Sequence, residues 1–279
     1  MKKILSSIFA CIGAIAAMAQ ANVAVTYSVT NCDTDCGEPY SYEMTLMGNA
    51  EKSLYFNRMS LYVDSCNSTP EGKARLREIQ LEAGRVVHPD GTVTYDGRKL
   101  GLAPEKKEYL YLEKNFAAGT ENVYDYFGDG IYRYSEPAGE MEWTVVGDST
   151  AAILGYQCVM ARTDYHGRTW TAWFTPEIPL HDGPWKLCGL PGLILKADGG
   201  DGFLVEATEV GMTRQAVPEI YSADTYEAGE RRRLLADREH YINNIESMLA
   251  AQGIKLNADG TPGDLPKYDR RLRAWETDY

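Results

Sequence analysis

The sequence predicts a mainly β, α+β fold: a strongly twisted antiparallel sheet or partly open barrel, with a long C-terminal helix packed on it. Three observations predict it. Short stretches that alternate polar and apolar residues recur between residues 22 and 208, each bounded by Gly, Pro, Asn or Asp. The long interspersed helices that parallel strands need for their crossovers are missing from that span. Helical spacing of apolar residues dominates only after Pro218. The 19 tyrosines suit such a sheet, because a phenol offers apolar area and a hydroxyl that tolerates a half-wet surface.

The elements follow in order. Residues 1–19 read as a signal peptide: Lys2 and Lys3 precede an uncharged apolar run, and Ala17-Met18-Ala19 offers small residues for cleavage before Gln20. Ile8-Phe9-Ala10-Cys11 is the alternative, a lipoprotein cleavage site with lipid on Cys11, which the bulky Phe9 disfavours. Val23, Val25, Tyr27 and Val29 form one face of a first strand, and Tyr40, Tyr42, Met44 and Leu46 repeat the pattern. Residues 53–63 read as a further long strand. Thr69-Pro70 caps a short helix that carries Leu76, Ile79 and Ala83 on one face and stops at Gly84. Residues 86–95 form a hairpin around Pro89-Asp90-Gly91. Strands follow at 106–116, 121–127, 131–134 and 141–146. Two hairpins follow these, 153–174 around Tyr165-His166-Gly167 and 193–208 around residues 198–202. Asp224, with Glu227 placed for the reciprocal bond, caps the last helix; Leu234, Leu235, Tyr241, Ile242, Ile245, Met248 and Leu249 give it one apolar face. The organisation is a β-rich domain over 20–218, the helix over 219–254 and a polar tail over 255–279 that holds the basic cluster Lys267, Arg270, Arg271 and Arg273.

The net charge of −12 disfavours non-specific phosphate contacts and with them nucleic acid. The sequence carries no Cys-x-x-Cys, His-Glu-x-x-His, phosphate loop or nucleophile elbow, so no cofactor is expected and no catalytic residue is assigned. His166 and His181 with Cys158 or Cys188 do not have the spacing of a zinc site, and no metal is expected. Asp182 beside His181, with Glu177 nearby, supports acid–base work only if a cleft assembles them.

The most distinctive stretch spans 170–195, WTAWFTPEIPLHDGPWKLCGLPGLIL. Its core, Gly189, Leu190, Pro191, Gly192, Leu193 and Ile194, together with Gly167-Arg168, Trp170, Trp173, Ile178-Pro179 and Gly183-Pro184-Trp185, resembles the GLPGLI family of secreted Bacteroidota proteins. The resemblance implies export and a sheet-rich body, and carries over no catalytic residue. Three prolines, Pro179, Pro184 and Pro191, fix the backbone, while Gly183, Gly189 and Gly192 permit close approach. The stretch reads as two strands joined by a shaped loop over the mouth of the sheet, either a cover for the core or one wall of a ligand cleft. Disulfides are open to Cys158 with Cys188 and to Cys32 with Cys36, and the odd count leaves one of the five thiols beyond residue 19 unpaired.

Three functions remain. The first is a non-catalytic envelope protein, periplasmic or extracellular, that holds a hydrophobic or peptide ligand or an envelope partner in a sheet-lined cleft. The second is a secreted hydrolase or metal enzyme with a site near 177–188. The third is an assembly subunit that docks through its C-terminal helix. No transmembrane segment is expected in the mature chain.

Overall fold

The computed structural model describes residues 22–31, 40–106, 108–128, 130–251 and 275–279. The signal peptide, Cys11, Cys32, Cys36 and the basic cluster lie outside the described residues. Among the described residues, twelve strands form one twisted sheet in the order β14-β8-β7-β6-β3-β2-β1-β13-β12-β11-β10-β9. These are β1 (Asn22–Asn31), β2 (Tyr40–Gly48), β3 (Lys52–Phe56), β6 (Tyr111–Asn115), β7 (Thr120–Tyr126), β8 (Ile131–Pro137), β9 (Thr144–Ile153), β10 (Tyr156–Tyr165), β11 (Arg168–Thr175), β12 (Leu193–Asp198), β13 (Phe203–Thr213) and β14 (Glu227–Ala228). β4 (Arg85–Val87) and β5 (Val93–Tyr95) make a separate hairpin. Every pairing in the large sheet is antiparallel except β14 with β8, and β9 and β14 remain as free edges, so the sheet is not a closed barrel.

Alternation sets which face goes inward. Along β1 every second residue is buried, and Val25, Tyr27 and Val29 have no exposure. One buried cluster then gathers side chains from β1, β2, β3, β6, β7, β8, β9, β10, β11, β12 and β13, so the sheet wraps its inner face around a main core. The β10–β11 hairpin turns on His166 and Gly167, both at positive φ (51° and 79°), the two-residue geometry that matches strand twist.

Two expectations are corrected. The strand read over 53–63 ends at Phe56, because the Asn57 side chain accepts from the Ser60 N–H at 2.9 Å and starts α1 (Arg58–Asn67). The cap of the last helix is Glu230, not Asp224: its carboxylate accepts from the Arg232 and Arg233 N–H groups, and α3 runs over Arg231–Ala251. Asp224 instead sits in a 3-10 turn. The helix expected after Thr69 is α2 (Pro70–Gly84), capped by the Thr69 hydroxyl. α3 packs on the sheet through Leu234 and Leu235, and its Arg238 pairs with Asp125 of β7 at 2.9 Å. Among the described residues no helix is long and apolar enough to cross a membrane.

Candidate functional site

The loop between β11 and β12 carries the signature. Gly192, at φ 151°, lies so close to β11 that a Cβ there would stand 2.1 Å from the Thr175 carbonyl oxygen. Ile194 N–H donates to the Asp182 carbonyl, and the Tyr27 hydroxyl donates to the Ile194 carbonyl at 2.7 Å. Leu190, Leu193 and Ile194 are buried, while Pro191 and Gly189 are exposed. The hexapeptide is held to β1 and β11 by these contacts.

A buried ion pair pins the same loop to the opposite side. Lys114 of β6 donates from Nζ to Asp182 Oδ1 at 2.5 Å and to the Gly183 and Leu187 carbonyls, with both side chains fully buried. Burial works against the Lys114 charge, but Asp182 beside it outweighs this and raises its pKa. Asp182 is thus committed to structure. His181 is exposed, and Glu177 is exposed with its carboxylate on the Gln157 N–H, so the acid–base group expected from Glu177, His181 and Asp182 is not assembled.

The Cys158–Cys188 disulfide that the sequence left open is not formed. Cys158 lies on β10, which pairs with β9 and β11, while Cys188 lies in the loop beside Gly139. Both are buried free thiols, as is Cys66. Burial raises the Cys158 thiol to about 11 and the Cys188 thiol to about 12, so neither is a poised nucleophile. Cys188 and His181 do share a groove of about 280 Å³, lined also by Phe116, Pro179, Leu180 and Gly189.

Of the three indoles read as part of a core cover or cleft wall, Trp170 and Trp185 are buried and Trp173 is half-buried. On β11, residues 170, 172 and 174 are buried, while Trp173 is half-buried against the core with Lys196 Nζ 5.7 Å from its ring centroid. Trp170 and Trp185 meet at 5.6 Å between ring centroids. Trp185 holds φ 51°, a conformation bulky residues rarely adopt, and places its indole inward with 2% exposure. Between these rings and the sheet lies a segment the sequence did not mark: residues 275–279. Trp275 stacks on Trp185 at 5.1 Å and on Trp170 at 6.2 Å, and meets Phe203 and Tyr55 edge-on at 4.6 and 6.5 Å. Such pairs contribute about 0.5–1.5 kcal/mol each beyond area burial.

Beside the rings is a charged cluster. Lys186 Nζ bonds Glu136 of β8 and Glu276 (2.8 Å), and Arg231, at the start of α3, bonds Glu276 and Asp278. Tyr134 donates to Glu276 at 2.9 Å, and the Thr277 N–H donates to the His166 carbonyl at 3.0 Å. Burial favours a protonated Glu136, but hydrogen bonds from His166 and Lys186 outweigh it and lower the carboxyl to about 2. Glu121 of β7 behaves oppositely. Burial, against the pull of Lys186 and Lys114, raises it well above the usual carboxyl range. Neither of its oxygens has a donor in hydrogen-bond geometry, and Lys186 stands 3.9 Å away. The Glu136 carboxylate beside Glu121 adds to the rise.

His166, Glu276 and Asp278 bring three ligand atoms within 4.8 Å of one another. Arg231 and Lys186 already supply positive charge to these acids, so the arrangement works as an ion-pair network in which a divalent cation would meet two fixed cations. Among the described residues, no group of three ligand atoms combines His166 or His181 with Cys158 or Cys188. Lys114, Glu121, Glu136, Arg231 and Trp275 carried no motif, and Lys186 was marked only as part of the signature stretch; the one other signal was a lone Trp within a polar tail.

A family model described as "Protein of unknown function (Porph_ging)" matches residues 163–196, which contain His166, Gly167, Trp170, Trp185 and Lys186. None of the curated proteins compared with the chain matches it. Among solved structures, PNGF-II aligns over 79% of this chain at 16% identity with a TM-score of 0.50, which shows a shared fold. This chain spans only 33% of the PNGF-II chain. MucB in complex with MucA(peri) aligns at 12% identity over 76% of this chain and 56% of its own, with a TM-score of 0.23. The LolA superfamily protein NE2245 from Nitrosomonas europaea aligns at 8% identity over 74% and 91%, with a TM-score of 0.26.

Proposed function

We propose that the chain is a non-catalytic, exported envelope protein of the GLPGLI family that binds a hydrophobic or peptide ligand on the inner face of its sheet. The complete hexapeptide Gly189–Ile194 and the match over 163–196 support the family reading. The observation that carries the binding reading is the seat of residues 275–279. The inner face holds an extended segment there through aromatic stacking on one side and ion pairs on the other. A face that seats a peptide by its side chains has the chemistry of a peptide cleft, an apolar wall with a few placed polar groups. The buried, committed state of Asp182, Cys158 and Cys188 supports a role without covalent or acid–base chemistry.

The test is recovery of the mature chain from its native envelope under mild conditions, followed by mass spectrometry of what co-purifies. A defined lipid or peptide retained through gel filtration, and raising Tm when added back to stripped protein, is the expected result. A chain that retains nothing, and whose Tm no envelope fraction shifts, would end this reading.

A further inference from the structure

We propose that the inner face is a receptor for a partner peptide that carries an aromatic residue followed directly by an acidic one, with a second acid two positions on, and that residues 275–279 are its tethered occupant. The inference rests on the binding reading above and adds the ligand class and its regulation.

The seat is shaped for that pattern. Trp275 enters a cage of Trp185, Trp170, Phe203 and Tyr55; the next residue, Glu276, meets Lys186, Arg231 and Tyr134; Asp278 meets Arg231 and His166. Recognition runs through side chains, with the Thr277 N–H on the His166 carbonyl fixing the register. Gly167 shows that the signature segment makes room for this peptide. A Cβ there would stand 2.3 Å from Thr277 Oγ1 and 3.0 Å from the Thr277 carbonyl carbon. His166, Gly167, Trp170, Trp185 and Lys186, most of the seat, thus come from one segment, 163–196.

The charges argue for exchange rather than a permanent core. Buried ion pairs stabilise a core no better than apolar side chains of the same volume. A cluster of Lys186 and Arg231 against Glu276 and Asp278 instead gives selectivity for an acidic segment, and gives that segment charges that water solvates well when it leaves. In a chain of net charge −12, Lys186 and Arg231 share the one Glu136 carboxylate between them and stand beside stacked indoles, so together they keep an excess of positive charge that attracts an acidic aromatic sequence. An incoming peptide must displace residues 275–279, so its apparent affinity is reduced by the fraction of seats its tethered competitor holds.

The test uses the full mature chain and a fluorescein-labelled peptide of sequence 275–279, acetylated or labelled at one end and amidated at the other. Fluorescence anisotropy should show weak binding to the wild type. Binding to Trp275→Ala should be at least about tenfold tighter, and the same peptide with Lys in place of its Glu should lose that gain. A folded Trp275→Ala chain that binds the peptide no better than wild type overturns the inference. In that case a co-purifying ligand retained by the same variant leaves the broader binding reading standing, and its absence removes both. If Trp275→Ala does not fold, hydrogen exchange on the wild type decides. A Thr277 amide that exchanges much faster than the β10–β11 ladder supports a releasable occupant, and one that exchanges with the ladder overturns it. A dimer held by residues 275–279 exchanged between copies, seen by light scattering and lost in Trp275→Ala, overturns the assignment to a separate partner.

Discussion

Replacing Glu121 by Gln should stabilise the protein, and by an amount that grows with pH. The Glu121 side chain is fully buried, neither oxygen has a donor, and its nearest cation is 3.9 Å away. Burial raises its carboxyl well above the ordinary value, so the folded state holds a proton that the unfolded chain releases above its own pKa of about 4.3. The sign follows from linkage. The folded state binds more protons than the unfolded, so wild-type stability falls as pH rises through this window. Each pH unit costs about 1.4 kcal/mol until the folded carboxyl ionises. Gln has no proton to lose. Between pH 4.5 and 6.5 the advantage of Glu121→Gln should therefore grow with pH, by at most about 1.4 kcal/mol per pH unit. Glu136 leaves that window undisturbed: lowered to about 2, its stabilisation is present above about pH 4.3 and is lost only as pH falls toward 2. The assay is urea unfolding of both chains at the two pH values, with the slope m compared to confirm equal exposed area. A variant less stable than wild type at pH 6.5, or a difference that does not change with pH, would show that Glu121 is ionised and paired with Lys186, and would refute the reasoning.

Three further outcomes are expected. Lys114→Met leaves Asp182 buried without its cation and frees two carbonyls, so unfolding in urea should show a loss of about 3–5 kcal/mol; a loss under about 1 kcal/mol would mean that the pair does not pin the loop. Gly192→Ala drives a Cβ into the Thr175 carbonyl and should lower Tm by several degrees, from a cost of about 2 kcal/mol or more; an unchanged Tm contradicts the close approach. Cys158 and Cys188 should ignore a disulfide reagent at pH 8 in the folded protein and react on denaturation, because burial raises their thiols to about 11 and 12; rapid labelling of either in the native state would place it at an accessible site.

The local elements were largely legible because their rules are local. Alternation along Val23, Val25, Tyr27 and Val29 requires one buried face whatever the partner strand, and Thr69-Pro70 caps a helix using only the next three residues. The strand read through Asn57 failed because the Asn57 cap competes with an apolar pattern that suits strand and short helix alike. The last helix was found, but its start moved from Asp224 to Glu230, where β14 has already paired with β8. The signature stretch was singled out by its prolines and glycines, and its Trp170 and Trp185 rings meet in the core.

What those rings face was decided only by tertiary structure. Lys114 and Asp182 are 68 residues apart, Glu136 and Lys186 are 50 apart, and Tyr134 and Glu276 are 142 apart. No periodicity links such positions, since a buried charge is tolerated only where another strand or loop delivers its partner. The same holds for Trp275. In sequence it is one aromatic residue in a polar tail, and it becomes the centre of the inner face only because β3, β11, β13 and the signature loop bring four rings around it. The sequence by itself determined which residues turn inward along each strand, through a steric period of two. Only the folded sheet determined which of those inward residues meet, because that depends on strand order and curvature, which no single segment encodes.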